Sequence, residues 1–101
     1  MKFSHLPVAV ILALLAGSAA AQDPNLARNL AATCANCHGT NGKAVAGSGM
    51  EALAGTDRNK LLQKMKDFRS GAKPATIMHQ IAKGYTDEEM SLIASFYAAQ
   101  K

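Results

Sequence analysis

The sequence lacks tryptophan and has few of the large aliphatic residues that build a core. After position 21 it contains a single valine, Val45, and Leu, Ile, Val and Phe together account for 12 of 80 residues. The scarcity of valine and the absence of tryptophan argue against an all-β sandwich and favour a helical domain. So small an aliphatic content is also below the level at which a chain of this size packs a core unaided. We therefore expect another group to supply apolar bulk.

Charge of one sign is not concentrated anywhere in the chain. After position 21, ten Lys and Arg residues stand against seven Asp and Glu residues, which leaves a net charge of +3. Nucleic-acid-binding arms have basic blocks, and none is present here. Nucleic acid is therefore not an expected partner.

A long apolar run occurs only at the N terminus, and it is short for a bilayer. Lys2 precedes an uninterrupted apolar stretch at 8–16, and small residues at 19–21 fit the cleavage rule of a secretory signal. A membrane span needs ~20 apolar residues. We predict a cleaved signal peptide at 1–21, a single domain at 22–101, export to the periplasm, and no stable membrane insertion after cleavage.

Cap and turn signals predict that the rest of the chain folds into helices joined by loops. The pair Asp23-Pro24 is typical of a helix start, and Leu26, Leu30 and Cys34 recur every four positions. Residues 39–55 are rich in Gly, Ala, Ser and Asn and have no periodic face. A loop of that length is usually functional or wraps around something.

Three further helices are expected after this loop. The first is capped by Thr56 or Asp57 and ends near 70–71, the second lies within 76–83, and the third follows a capping box at 86–89. The last helix is expected to pack against the first helix of the chain. The apolar positions are Leu61, Leu62, Met65 and Phe68 on the first of these helices, and Met90, Leu92, Ile93, Phe96 and Tyr97 on the last. The lysines of the first, Lys60, Lys64 and Lys66, are expected to form a solvated face, with a docking surface for an acidic partner as the alternative.

Cys34, Cys37 and His38 form the pattern Cys-x-x-Cys-His, which is the attachment signature of c-type haem. Residues three apart lie on one side of a helical turn, so both thiols can form thioethers with the porphyrin while His38 ligates the iron. One covalent haem c would also supply the missing core.

Other functions of this cysteine pair fit the sequence less well. A structural zinc site needs four ligands, but His38 and His79 are the only histidines after position 21. A disulfide across two intervening residues closes too short a loop to stabilise the chain much. A thioredoxin-like pair expects a βαβ context, which the helical pattern does not provide.

The second axial ligand of an electron carrier is expected to be a thioether, because it closes the coordination shell and raises the reduction potential relative to two histidines. Met65 and Met90 lie on amphipathic faces and are expected to pack. Met78 follows a helix that can wall the pocket, and we predict it as the distal ligand. Met50 and His79 remain alternatives.

The segments CANCHGTNG and MSLIASFYAAQ resemble those of class I c-type cytochromes such as cytochrome c4 and c-553 domains. DFRSG followed by ATIMHQIAKGYTDEEM is similar to the cytochrome subunit of flavocytochrome c sulfide dehydrogenase. The resemblance runs from about Arg28 to Ala99 and implies an all-α class I cytochrome c fold, with four or five helices around one haem. It also implies that Met78 is an axial ligand.

The same resemblance implies transfer of single electrons from a flavoprotein partner that oxidises sulfide at FAD, with no catalytic site in this chain. A free monohaem carrier in a respiratory or photosynthetic chain is the alternative, followed by a five-coordinate haem enzyme or gas sensor. Such cytochromes commonly have a proline near the carbonyl that accepts the proximal histidine's Nδ1–H. No proline occurs between Gly39 and Lys73, so we expect that carbonyl in Ala46 to Gly49.

Overall fold

The computed structural model describes residues 23–101, so the predicted signal peptide at 1–21 lies outside the described residues. Within 23–101 there are helices and loops but no strands, which confirms the all-α fold class. None of the helices in this range is long and apolar enough to cross a membrane. The helices are α1 (Leu26–Ala31), α2 (Ala35–His38), α3 (Arg58–Ser70), α4 (Met78–Ala82) and α5 (Asp87–Ala98), with a 3₁₀ turn at Thr40–Gly42.

The start of α1 differs from the prediction. Asp23 is not its N-cap, because the helix begins at Leu26 after Asn25. The Asp23 carboxylate instead accepts hydrogen bonds from the backbone N–H of Asn25 at 2.8 Å and from Nδ2 of Asn29 at 2.9 Å. It therefore closes a turn just before the helix. Leu26 is 45% exposed, so the buried face of α1 is formed further along.

The predicted first helix is also divided in two. α1 ends at Ala31, and Cys34 is the N-cap of α2. The hydroxyl of Thr33 donates to the carbonyl of Leu30 at 3.2 Å, the carbonyl that a continuous helix would offer to the N–H of Cys34. That N–H donates instead to Ala31, three residues back. The cysteine-histidine signature therefore lies on a short helix of its own.

The predicted caps of the two long helices are confirmed. Asp57 accepts a hydrogen bond from the backbone N–H of Lys60 at 3.0 Å, and Gly71 ends α3 in the left-handed conformation. Thr86 and Glu89 form both bonds of the capping box at the start of α5. These signals work because each cap satisfies backbone groups that the helix itself leaves unpaired.

The core lies where α5 packs against α1 and α3. Tyr97 of α5 is 1% exposed, and its hydroxyl donates to the carbonyl of the fully buried Ala31. The predicted packing of the last helix against the first is therefore confirmed. The buried apolar side chains of the described range are Ala31, Leu61, Ala82, Met90, Ile93, Ala94 and Tyr97. Several of them are small, as expected from the shortage of aliphatic residues.

Candidate functional site

A cavity of about 650 Å³ lies between α2, α3, α4 and α5. This volume is within the usual range for a small-molecule or cofactor site. Its wall is mostly apolar and includes Leu61, Met65 and Phe68 of α3, Ile81 of α4 and Ile93 of α5. The helices thus enclose a space rather than packing fully against one another.

All three residues of the signature border this cavity. The thiols of Cys34 and Cys37 are free, that of Cys34 half-buried and that of Cys37 exposed. Burial raises the pKa of the Cys34 thiol. The two cysteines are three residues apart at the start of α2, so one helical turn presents both to the same cavity.

The imidazole of His38 has a fixed hydrogen-bond partner. Its Nδ1 lies 2.6 Å from the backbone carbonyl oxygen of Glu51. Because a carbonyl can only accept, this contact assigns the proton to Nδ1 and leaves the lone pair on Nε2. Nε2 is therefore the nitrogen available to a metal ion.

The prediction that this carbonyl lies in Ala46 to Gly49 was wrong. The N–H groups of Leu53 and Ala54 both donate to the carbonyl of Gly42, at 2.8 and 3.1 Å. These bonds bring the end of the loop beside α2, whereas 45–50 remain exposed. The acceptor is consequently Glu51, two residues beyond the predicted range.

Three of the methionines reach the cavity: Met50, Met65 and Met78. Met78 is the first residue of α4 and is half-buried, whereas Met50 is 39% exposed. Met65 was expected to pack, and it forms part of the α3 wall. Met90 is fully buried in the core and does not line the cavity.

His79 lies apart from these groups. It borders a separate cavity of about 400 Å³ that Arg69, Lys73 and Lys83 also line. Its Nδ1 is buried and has no hydrogen-bond partner. His79 therefore lines a different cavity from the cysteines and His38, although it directly follows Met78 in the chain.

Sequence reasoning missed two contributors to the site. Glu51 was not a candidate, and Lys64 was expected on a solvated or docking face and not at the cavity. The ammonium of Lys64 forms an ion pair with the carboxylate of Glu51, and this hydrogen bond lowers the pKa of the carboxyl group. The two residues are thirteen positions apart on different elements, so no local spacing could have predicted the pair.

The groups around the cavity match the chemistry of a covalently attached haem. Two free thiols can form thioethers, one imidazole presents Nε2, and thioether side chains are available as a second axial ligand. Apolar walls suit a porphyrin plane. The site thus contains each type of ligand that the signature predicts.

No protein-family model matches the chain. Curated relatives do match it. The thiosulfate dehydrogenase electron acceptor of Stutzerimonas stutzeri is 37% identical over 102 residues, which cover 94% of this chain and 47% of the relative. The cytochrome subunit of sulfide dehydrogenase of Chlorobaculum tepidum is 37% identical over 68 residues, 67% of this chain and 60% of the relative. Cytochrome c-554(548) of Halomonas halodenitrificans is 33% identical over 89 residues, 85% of this chain and 100% of the relative. The chain therefore spans about half to three fifths of the first two relatives and the full length of the third.

Proposed function

Because the chain belongs to the cytochrome c family, with that family's covalent haem c and electron-transfer role, we propose that it carries single electrons in the periplasm through one haem. The observation that carries this proposal is the arrangement of His38. Its Nδ1 is held by the Glu51 carbonyl beside two free thiols, on the wall of a mostly apolar cavity of about 650 Å³.

We assign the following roles to the residues of the site. Sγ of Cys34 and Sγ of Cys37 would hold haem through thioethers, and Nε2 of His38 and Sδ of Met78 would bind its iron. When bound, haem supplies an iron that alternates between the ferrous and ferric states. His38 and Met78, retained as ligands in both states, would keep reorganisation small, and the soft thioether of Met78 would favour the ferrous state relative to a second imidazole. The apolar walls exclude water.

We further propose that the electron donor is a flavoprotein subunit that oxidises sulfide at FAD. Similarity to the cytochrome subunit of sulfide dehydrogenase supports this partner, together with the segments at 67–71 and 75–90. Substrate chemistry then belongs to the flavoprotein, and this chain has no catalytic site of its own.

Purification of the native protein tests the partnership. A flavin-containing subunit should co-elute with it, and sulfide should reduce its haem in the purified complex. The flavoprotein partner would be rejected if the native protein is isolated as a flavin-free monomer and if sulfide, together with the flavoproteins of the native extract, does not reduce its haem. The alternative is a free carrier in a respiratory or photosynthetic chain, which similarity to the thiosulfate dehydrogenase electron acceptor supports.

The intact mass of the same sample tests export, since cleavage of a signal peptide at 1–21 leaves Gln22 as the first residue.

Carbon monoxide separates an electron carrier from a haem enzyme or gas sensor. With His38 and Met78 both on the iron, the reduced protein should bind carbon monoxide only slowly at neutral pH. Rapid binding would indicate a five-coordinate iron and would favour the enzyme or sensor.

A further inference from the structure

Glu51 connects two parts of the site through two different groups. Its backbone carbonyl accepts the Nδ1–H of His38 at 2.6 Å. Its side-chain carboxylate pairs with the ammonium of Lys64 on α3. A single residue therefore links the predicted proximal ligand to the helix that forms one wall of the cavity.

Lys64 is well placed to hold this residue. α3 is a thirteen-residue helix with a cap at each end, and the Lys64 side chain borders the cavity with 26% of its surface exposed. The Glu51 carboxylate, at 54%, is much more exposed. The helix is therefore the fixed partner and the loop residue is the one that is held.

The loop around Glu51 is anchored by backbone hydrogen bonds on one side, the side that follows Glu51 in the chain. Leu53 and Ala54 are tied to the carbonyl of Gly42, whereas residues 45–50 are exposed. Glu51 lies at the junction between these two parts. In the described range, the ion pair to Lys64 is the side-chain contact that fixes it.

A partly exposed ion pair contributes little to global stability. The pair between Lys64 and Glu51 has a further consequence, because Glu51 is also the residue whose carbonyl accepts the Nδ1–H of His38. We propose that Lys64 is a positioning residue for the proximal histidine: through its ion pair with Glu51, it keeps the Glu51 carbonyl on Nδ1 and so sets the orientation and electron donation of His38. This inference rests on the proposed function, because it concerns the ligand of the same haem.

The reduction potential separates positioning from a simple charge effect, because the two act in opposite directions. Removal of a nearby cation stabilises the ferric state and lowers the potential. Loss of the bond to Nδ1 makes the imidazole a weaker donor, which destabilises the ferric state and raises the potential. Both effects act in Lys64→Met, so positioning predicts a potential higher than that of Lys60→Met, the same charge change at an exposed site on the same helix, which leaves the potential unchanged or lowers it.

Exchange of the His38 Nδ1 proton with solvent, measured by NMR on the haem-loaded protein, gives a second readout. Lys64→Met should accelerate it on the order of fivefold, the factor that corresponds to ~1 kcal/mol, and Lys64→Arg should restore the wild-type rate. Lys60→Met should not change it. The exchanged pair Lys64→Glu with Glu51→Lys should also retain slow exchange, since the ion pair is kept.

The outcomes distinguish this inference from the function on which it rests. If the wild-type protein has no histidine-ligated haem, the proposed function fails. If the wild-type haem is normal but Lys64→Met has a potential no higher than that of Lys60→Met and leaves proton exchange unchanged, positioning by Lys64 is wrong and the electron-transfer function stands.

Discussion

The hydroxyl of Tyr97 donates a hydrogen bond to the backbone carbonyl of Ala31. This bond joins α5 to the last residue of α1, three positions before the first cysteine of the haem signature. Both residues are buried, and Phe96 packs edge-on against the Tyr97 ring with centroids 5.2 Å apart. Burial raises the pKa of the Tyr97 hydroxyl far above its usual range, so the phenol remains a donor at every working pH.

Tyr97→Phe should destabilise the haem-loaded protein by about 0.5–1.5 kcal/mol, because it removes one of the two hydrogen bonds that the buried Ala31 carbonyl accepts, the other coming from the N–H of Cys34. Guanidinium unfolding followed by far-UV circular dichroism measures the change. Tyr85→Phe is the matched control, since the Tyr85 hydroxyl bonds Thr33 at 2.7 Å at a more exposed position. Tyr85→Phe should lower the free energy of unfolding by less than Tyr97→Phe does. Equal losses in the two variants would contradict a special role for the bond to Ala31.

Gly42 and Gly47 provide a comparison at one backbone angle, because both have φ of +78°. A Cβ at Gly42 would lie 2.6 Å from the Tyr97 ring and 2.8 Å from the backbone nitrogen of Ala54, whereas a Cβ at Gly47 would meet nothing within 4 Å. Gly47→Ala should therefore cost only the left-handed strain of ~1–2 kcal/mol. Gly42→Ala should cost about 3 kcal/mol or more, because a clash adds to that strain. Similar unfolding free energies for the two variants would contradict the close packing at Gly42.

Met78→Ala should abolish the thioether-to-iron charge-transfer absorption of the oxidised protein and permit rapid binding of carbon monoxide after reduction. The physical reason is that the variant removes a ligand and opens a coordination position. Met50→Ala and Met65→Ala are controls on the same cavity, and both should retain the absorption. A Met78→Ala protein that keeps this absorption would refute Met78 as the distal ligand. Loss of the absorption in Met50→Ala alone would identify Met50 as the distal ligand instead.

Removal of haem should leave the chain poorly folded. The described core contains few large side chains and surrounds a cavity of about 650 Å³. Burial of several hundred Å² of porphyrin contributes on the order of 10 kcal/mol, comparable with the net stability of a whole domain. A Cys34→Ser/Cys37→Ser protein prepared without haem should lack near-UV circular dichroism and a cooperative thermal transition. Normal cooperative melting would contradict this prediction.

Features of the fold that depend on neighbouring residues could be predicted from the sequence. The Asp57 cap, the glycine at position 71 and the capping box at 86–89 each act within one helical turn, and each occurs in the structure. The break between α1 and α2 was not predicted, because the Thr33 hydroxyl that bonds the Leu30 carbonyl is also compatible with a continuous helix. The contact between Glu51 and Lys64 was missed for a different reason, because it joins residues on different elements.

The acceptor for His38 illustrates that limit. The carbonyl of Glu51 reaches Nδ1 because Leu53 and Ala54 bond Gly42 across the loop, and no sequence spacing encodes that closure. Lys64 was expected to be solvated for a comparable reason, since its partner lies thirteen residues earlier. The sequence predicted the candidate ligands, whereas the contacts of Glu51 with His38 and with Lys64 required the three-dimensional structure.

The ion pair between Arg69 and Asp87 should make stability depend on pH in a defined direction. The Arg69 guanidinium holds the pKa of the exposed Asp87 carboxyl below its usual range. Because this pKa is lower in the folded state than in the unfolded chain, the pair adds stability above the unfolded value of about 3.9, and this stability is lost as pH falls through the folded value. Arg69→Met should therefore lower the free energy of unfolding at about pH 6, and the difference from wild type should shrink as the pH approaches about 2. In an Asp87→Asn background the same substitution should have no pH-dependent effect, so a difference that persists there would show that Arg69 acts through another group.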